Sequence, residues 1–389
     1  MPAAQRIVIA GGGIGGLSTA LACKRRGLDP VVLEQHDEIG GGGSGFSIWS
    51  YAIKTLLENG VSQEAIDSSG SPYRAMDIYN AKGRHMTTIP IEEISKEFGA
   101  SSYDMDRRKL ITTMAAALPD GVVRTGGRVV EVQQDEDGAT ALLESGEKVD
   151  GDVAVVAEGI HAALREQVAG PAELSYSGFT GLGGIIADAP EGAEPGHHVE
   201  IWSRGAKGGL ATVESGGARW YVVHRCEAGE VPSKDEVISE AQGWYPRLAA
   251  AIEATPEDEI QSHEAWDLGP LPRWHDGRTI LIGDAAHATT PYAAMGACMS
   301  IVDGDVLAEL LVEEDDVESA FTAMEERRKS ATEATVAGAR KSASWAMMDS
   351  ALGAFLRDMA MKHLPDDKAR AIGEEMVAGG VFDKGVGRD

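Results

Sequence analysis

The chain has 389 residues, room for two domains and an ample core. Its 62 acidic and 35 basic side chains leave a net charge of −27, which argues against nucleic acid and anionic membranes as partners, and no apolar stretch approaches the roughly 18 residues of a membrane span. Three scattered cysteines, Cys23, Cys226 and Cys298, have no metal-ligand spacing and fit packed thiols in a reduced, cytoplasmic setting, with no room for a signal peptide before the first strand.

Residues 6–10 form a short apolar strand, and Gly11-Gly12-Gly13-Ile14-Gly15-Gly16 follows at once. Residues 17–26 are helical in character, Gly27 stops them, and the strand at 30–33 ends on Glu34. This is G-x-G-x-x-G with its strand, its helix and its acid. Gly11 allows the tight turn, Gly13 lets a pyrophosphate approach the backbone, and Gly16 lets helix and strand pack closely. The N–H groups around Ile14 and Gly15 face the phosphates, and Glu34 can accept from a ribose diol. A second literal match at Gly40, Gly42 and Gly45 has no strand before it and reads as a mobile loop over a ligand.

A helix follows, with Ile53, Leu56 and Leu57 on one face and Asn59-Gly60 at its close; residues 73–90 then hold two strand-like stretches. Asp106-Arg107 opens a helix over 109–118, and 121–149 reads as a small antiparallel meander. The continuous apolar run 152–157 is a strand buried on both faces and belongs with the first sheet. Residues 172–268 are richer in β-forming segments, interrupted by one helix over 234–251. Residues 279–284 return to the parallel-strand pattern, and from Gly296 onward the chain is mostly helical.

Three segments converge: Gly11-x-Gly13-x-x-Gly16 with Glu34; Asp152-Val-Ala-Val-Val-Ala-Glu158-Gly159 continuing to Arg165; and Gly283-Asp284-Ala-Ala-His287 continuing through Pro291 to Gly296 and Asp303. In this order and spacing the chain resembles the single-component FAD-dependent aromatic hydroxylases, the p-hydroxybenzoate and salicylate hydroxylase-like group, over nearly its whole length. The resemblance implies an α/β fold: a Rossmann-like FAD-binding domain (1–171, with the small meander), a mixed-sheet substrate domain (172–268), and a return to the first domain with a helical C-terminal region (269–389). It implies FAD as cofactor, NADH or NADPH as electron donor, O2, and an aromatic small-molecule substrate hydroxylated through a flavin C4a-hydroperoxide. A monomer or homodimer fits, and no metal is expected.

On that resemblance, Ser44, Gly45, Arg107, Gly159, Gly283, Asp284, Pro291, Gly296 and Ala297 join the glycine turn in holding FAD. Asp284 would take the ribityl chain, and the helix start near Ala297 would meet the flavin. An activated phenol needs a base or proton relay, for which Tyr292 and His224 are the candidates. Trp202, Tyr221 and Met295 are candidate pocket walls, and His287 reads as structural. The chain departs from the family at Glu158, Ala162, Ala294, Met295 and Cys298. Two alternatives stay open: an FAD-linked reductase without oxygen transfer, and a flavin-binding protein that shields an intermediate without turnover.

Overall fold

The computed structural model describes residues 2–41, 45–212 and 216–378. A six-stranded sheet runs in the order His275–Asp276, Thr279–Leu281, Val153–Val156, Arg6–Ala10, Asp29–Leu33, Val123–Arg124. Every neighbouring pair is parallel except the first, which is antiparallel. Ile7, Ile9, Val153, Val155 and Ile280 have no exposed surface, as expected of β-branched runs covered on both faces. The helix Ile14–Arg25 crosses the later helix Gly296–Glu313 at small residues. A Cβ on Gly304 would stand 2.6 Å from the Thr19 nitrogen, and Ser18 Oγ donates to the Ile301 carbonyl at 2.9 Å.

The loops that leave the carboxyl ends of the central strands carry Gly11–Gly13, Glu34, Glu158–Gly159 and Gly283–Asp284. In an open parallel sheet that edge is where ligands bind. The meander forms as expected from Val129–Gln134, Ala139–Leu143 and Lys148–Gly151, all antiparallel.

The second sheet has seven strands, ordered Gln261–Leu268, Leu174–Ile186, Ala218–Arg225, Ala206–Thr212, His197–Trp202, Ala75–Asn80, His85–Ile89. Its last two strands come from residues the sequence division grouped with the first domain. Ala75–Asn80 pairs in parallel with His197–Trp202, a long-range match that leaves no local trace in the sequence. The helix expected over 234–251 is two helices, Lys234–Trp244 and Pro246–Ala254. Pro246 opens the second, and Tyr245 before it is extended at φ −154°, ψ 102°, which is how proline disfavours helix in its predecessor. A small three-stranded sheet is ordered Gly45–Ile48, Tyr103–Asp106, Gly70–Pro72. The helices Val317–Ala346, Ala351–Lys362 and Asp366–Ala378 complete the described chain. None of the described helices is long and apolar enough to cross a membrane.

Candidate active site

The three glycines of the first turn meet three different surroundings. Gly11 has φ +110°, and a Cβ there would lie 2.4 Å from the Ala157 carbonyl oxygen. A Cβ on Gly16 would lie 1.9 Å from the Gly11 oxygen. Among the described residues, nothing lies within 4 Å of the missing Cβ of Gly13, which faces open space. The helix that starts at Ile14 has no side-chain cap, so its first-turn N–H groups, Gly15 and Gly16 among them, stay available to an anion. Glu34 is held ready beside them: Oε2 accepts from the Gly12 N–H at 2.8 Å and Oε1 from the His36 N–H at 2.9 Å.

The Gly283 turn is fixed from behind. Gly283 sits at φ +56°, and a Cβ there would come 2.6 Å from Ser300 Oγ. Its N–H donates to Asp303 Oδ2 at 3.0 Å; that carboxylate also meets His287 Nε2 at 2.6 Å and Arg328 Nε at 2.8 Å. Asp303 is fully buried. Burial alone would raise its pKa, but His287 and Arg328 outweigh this and hold the carboxyl well below its usual range. His287 is therefore a strut of the turn. Asp284 faces the cavity, where burial raises its pKa against the pull of His287, Arg107 and Arg165. Arg107 begins the helix Arg107–Ala116 and lines the same space; burial lowers its pKa and Asp284 opposes the shift. Arg165 ties two motifs together, donating to the Ala285 and Ile160 carbonyls, both at 2.7 Å.

The departures from the family pattern have visible consequences. Glu158 Oε2 accepts from the Leu164 N–H at 3.1 Å, so the longer acid caps its own loop beside Gly159. Cys298 turns away from the cavity: its Sγ accepts from the Trp49 N–H at 3.3 Å, and burial pushes its thiol up to about 12. Ala294 is in the left-handed region at φ +51°, ψ 35°, a backbone conformation that favours glycine. Ala294→Gly should therefore raise stability by about 1 kcal/mol, read from the denaturant midpoint.

One cavity of about 1000 Å³ runs from the glycine turn to the second sheet, at the upper end of the range for small-molecule sites. It is lined by Gly11, Gly13, Ile14, Gly15, Glu34, Gly45, Arg107, Gly159, Gly283, Asp284, Pro291, Met295, Gly296 and Ala297, so almost every residue singled out for the cofactor is brought together. Gly16 lies beneath the turn and Ser44 lies outside the described residues.

On the sheet side, Tyr221 and Tyr292 both line the cavity. The Tyr292 hydroxyl is 3.5 Å from Ser177 Oγ and its ring meets Phe179 edge-on at 5.7 Å. Burial raises its pKa, so the phenol keeps its proton and cannot serve as a base near neutrality. Tyr292→Phe should accordingly leave the pH profile of turnover unchanged and the rate within about threefold, against the roughly 100-fold or more that losing a general base costs.

Two sequence candidates fall elsewhere. His224 is on the far face of the sheet, stacked on Trp244 at 6.4 Å and 3.5 Å from Glu240, because strand alternation turns Val223 inward and His224 outward. Trp202 stands behind the wall. Its Nε1 donates to Glu200 Oε1 at 3.0 Å and its ring lies under the Arg357 guanidinium at 5.8 Å.

The sequence reading missed the wall's polar residues. Lys207 Nζ donates to Glu200 Oε1 at 2.7 Å, and both side chains are about nine-tenths buried. That ammonium lies 5.7 Å from the centroid of the Tyr221 ring and 5.8 Å from that of Tyr292. Arg219 pairs with Asp104 and donates to Ser47 Oγ at 3.0 Å. His198 Nδ1 meets the Tyr73 hydroxyl at 3.0 Å. A signal existed: Glu200 and Lys207 are charges inside apolar strand segments, and such charges are buried only when paired.

Burial pushes His198 down to about 4, so the folded protein keeps it neutral while an unfolded chain protonates it below about pH 6.5. Stability should then fall as pH drops from about 6.5 to 4, by up to about 3 kcal/mol from this residue. Unfolding midpoints across that window should lose this component of slope in His198→Gln.

The glycine turn, the Gly-Asp loop and a sheet wall close one cavity, and the chain's family match and relatives put it in the class of FAD-dependent monooxygenases. The chain belongs to the FAD binding domain family, whose model matches residues 4–339. It is 28% identical to the aurachin C monooxygenase/isomerase of Stigmatella aurantiaca over 368 residues, 94% of this chain and 96% of that one. It is likewise 28% identical to the FAD-dependent urate hydroxylase of Klebsiella pneumoniae over 347 residues, covering 87% and 89%. The solved structure of Klebsiella pneumoniae HpxO complexed with FAD and uric acid superposes with a TM-score of 0.88 at 25% identity, covering 97% of this chain and 98% of that one.

Proposed function

We propose that this enzyme hydroxylates an aromatic or polycyclic small molecule, with O2 as oxygen source and NADH or NADPH as electron donor. The observation that carries this reading is the single cavity joining the anion-ready helix start at Ile14 to the Lys207–Tyr221–Tyr292 wall. FAD fits the first part. The open space at Gly13 admits a pyrophosphate, and the Ile14 helix start supplies its N–H groups. Glu34 would take the adenosine ribose and Asp284 the ribityl hydroxyls, with Arg107 beside them. Pro291, Gly296 and Ala297 would border the ring system, next to the uncapped start of the Gly296–Glu313 helix.

Bound FAD supplies the redox chemistry, accepting hydride from the nicotinamide and activating O2. The chain supplies the rest. Tyr292 and Phe179 pack the wall and keep water out. Tyr292 offers a phenol that stays protonated, and Lys207, fixed by Glu200, presents its remaining N–H groups to a substrate oxygen or nitrogen. The test is turnover under ¹⁸O2. One labelled oxygen in the product, with NAD(P)H consumption that rises with substrate, supports the reading. NAD(P)H consumption that yields only hydrogen peroxide or a reduced product, with every ring tried, contradicts it.

A further inference from the structure

Resting on that reading of the cavity, we propose that the site selects aromatic substrates without a carboxylate or other fixed anion, held through a neutral hydrogen-bond acceptor on the ring. The argument is the charge of the wall. Among the described residues, the Lys and Arg side chains lining the cavity are Arg107, Arg128, Lys207 and Arg219. The first two lie on the cofactor side: Arg107 acts on Asp284, and Arg128 acts on Glu158. The two on the sheet side each already face a carboxylate, although the buried Arg219 Nε–H has no hydrogen-bond partner among the described residues. Lys207 is 2.7 Å from Glu200, and Arg219 is paired with Asp104 inside the protein.

Glu200 is also anchored by the Trp202 indole N–H at 3.0 Å, so its carboxylate cannot swing away to free the ammonium. Of the two histidines that line this end, His198 is kept neutral by burial, and the exposed His263 has its pKa lowered, not raised, so neither supplies a fixed positive charge. A carboxylate entering here would be stripped of water next to Glu200 and Asp104 with no unmatched cation to meet it, which is the costly case for a buried ion. A carbonyl oxygen, a hydroxyl or a ring nitrogen needs only a donor. The spare N–H groups of Lys207, between the Tyr221 and Tyr292 rings, provide one. Those rings also give a flat substrate apolar faces to pack on.

The test uses the FAD-loaded protein and matched pairs of bicyclic rings: naphthol and hydroxyquinoline, each against the same ring bearing one carboxylate. Binding is read from the perturbation of the flavin absorbance band. At neutral pH the carboxylate member should bind at least about 100-fold more weakly than its neutral partner. Glu200→Gln leaves the Lys207 ammonium without its counter-charge and should narrow the preference, with carboxylates gaining at least about tenfold and neutral rings gaining nothing. Equal or tighter binding of the carboxylates by the unaltered protein would overturn the proposal, a result that needs no variant to fold. So would a Glu200→Gln protein that retains flavin and shows no gain for carboxylates. Failure of the underlying reading would appear differently, as a flavin-bearing protein that turns no ring over to a product labelled from ¹⁸O2.

Discussion

Gly13→Asp is expected to leave the fold intact and to weaken FAD binding at least 100-fold, about 3 kcal/mol. A Cβ at this position meets nothing within 4 Å among the described residues, and the backbone there, at φ −79°, suits any L-residue. Aspartate is moreover a good N-cap for the helix that starts at Ile14. Its charge, however, would occupy the open space opposite the helix start, where the pyrophosphate belongs. Flavin retained after gel filtration, together with a titration of the stripped protein, measures the loss, and the denaturant midpoint checks the fold. Gly16→Ala should do the reverse. Its Cβ would sit 1.9 Å from the Gly11 oxygen, so the turn itself must move and stability fails first. A Gly13→Asp protein that binds FAD normally would remove the glycine turn from the cofactor site.

Asp303→Asn should cost about 3–5 kcal/mol of stability, the amount expected when one partner of a buried ion pair is removed. The carboxylate serves three donors, the Gly283 N–H, His287 Nε2 and Arg328 Nε, and its side chain is fully buried. An amide keeps one acceptor and leaves the Arg328 guanidinium, itself 3% exposed, without its counter-charge. Denaturant unfolding gives the stability change, and FAD affinity should fall with it as the turn that carries Asp284 loosens. His287 and Arg328 hold the carboxyl well below its unfolded value, so its contribution is complete throughout the neutral range and is lost progressively as pH falls from about 4 toward the folded value. A loss below about 1 kcal/mol would mean the network does not hold the turn.

The cofactor half of the site was legible because its signals are local. A glycine turn, a Gly-Asp loop and the acid at Glu34 are short motifs whose spacing encodes backbone geometry, and the parallel sheet gathers them at one edge. The substrate half was less legible because it depends on register and alternation across long-range strand pairs. His224 was expected to face the flavin and faces Trp244, since a shift of one residue along a strand changes the face. Lys207 and Glu200 meet only because His197–Trp202 and Ala206–Thr212 pair antiparallel, placing Glu200 opposite Gly209 and Trp202 opposite Lys207. The strand Ala75–Asn80 joined the second sheet by a parallel pairing across more than a hundred residues, which no local pattern announces.

The most direct test of the central claim is anaerobic reduction of the purified protein, followed in its visible spectrum, with NADH and with NADPH in the presence of neutral aromatic ligands. The cavity predicts flavin absorbance that one nicotinamide bleaches, and faster bleaching when a ligand occupies the Lys207–Tyr221–Tyr292 wall. A bound flavin that neither nicotinamide reduces, with or without ligand, would contradict a monooxygenase and leave a protein that holds FAD without turning it over.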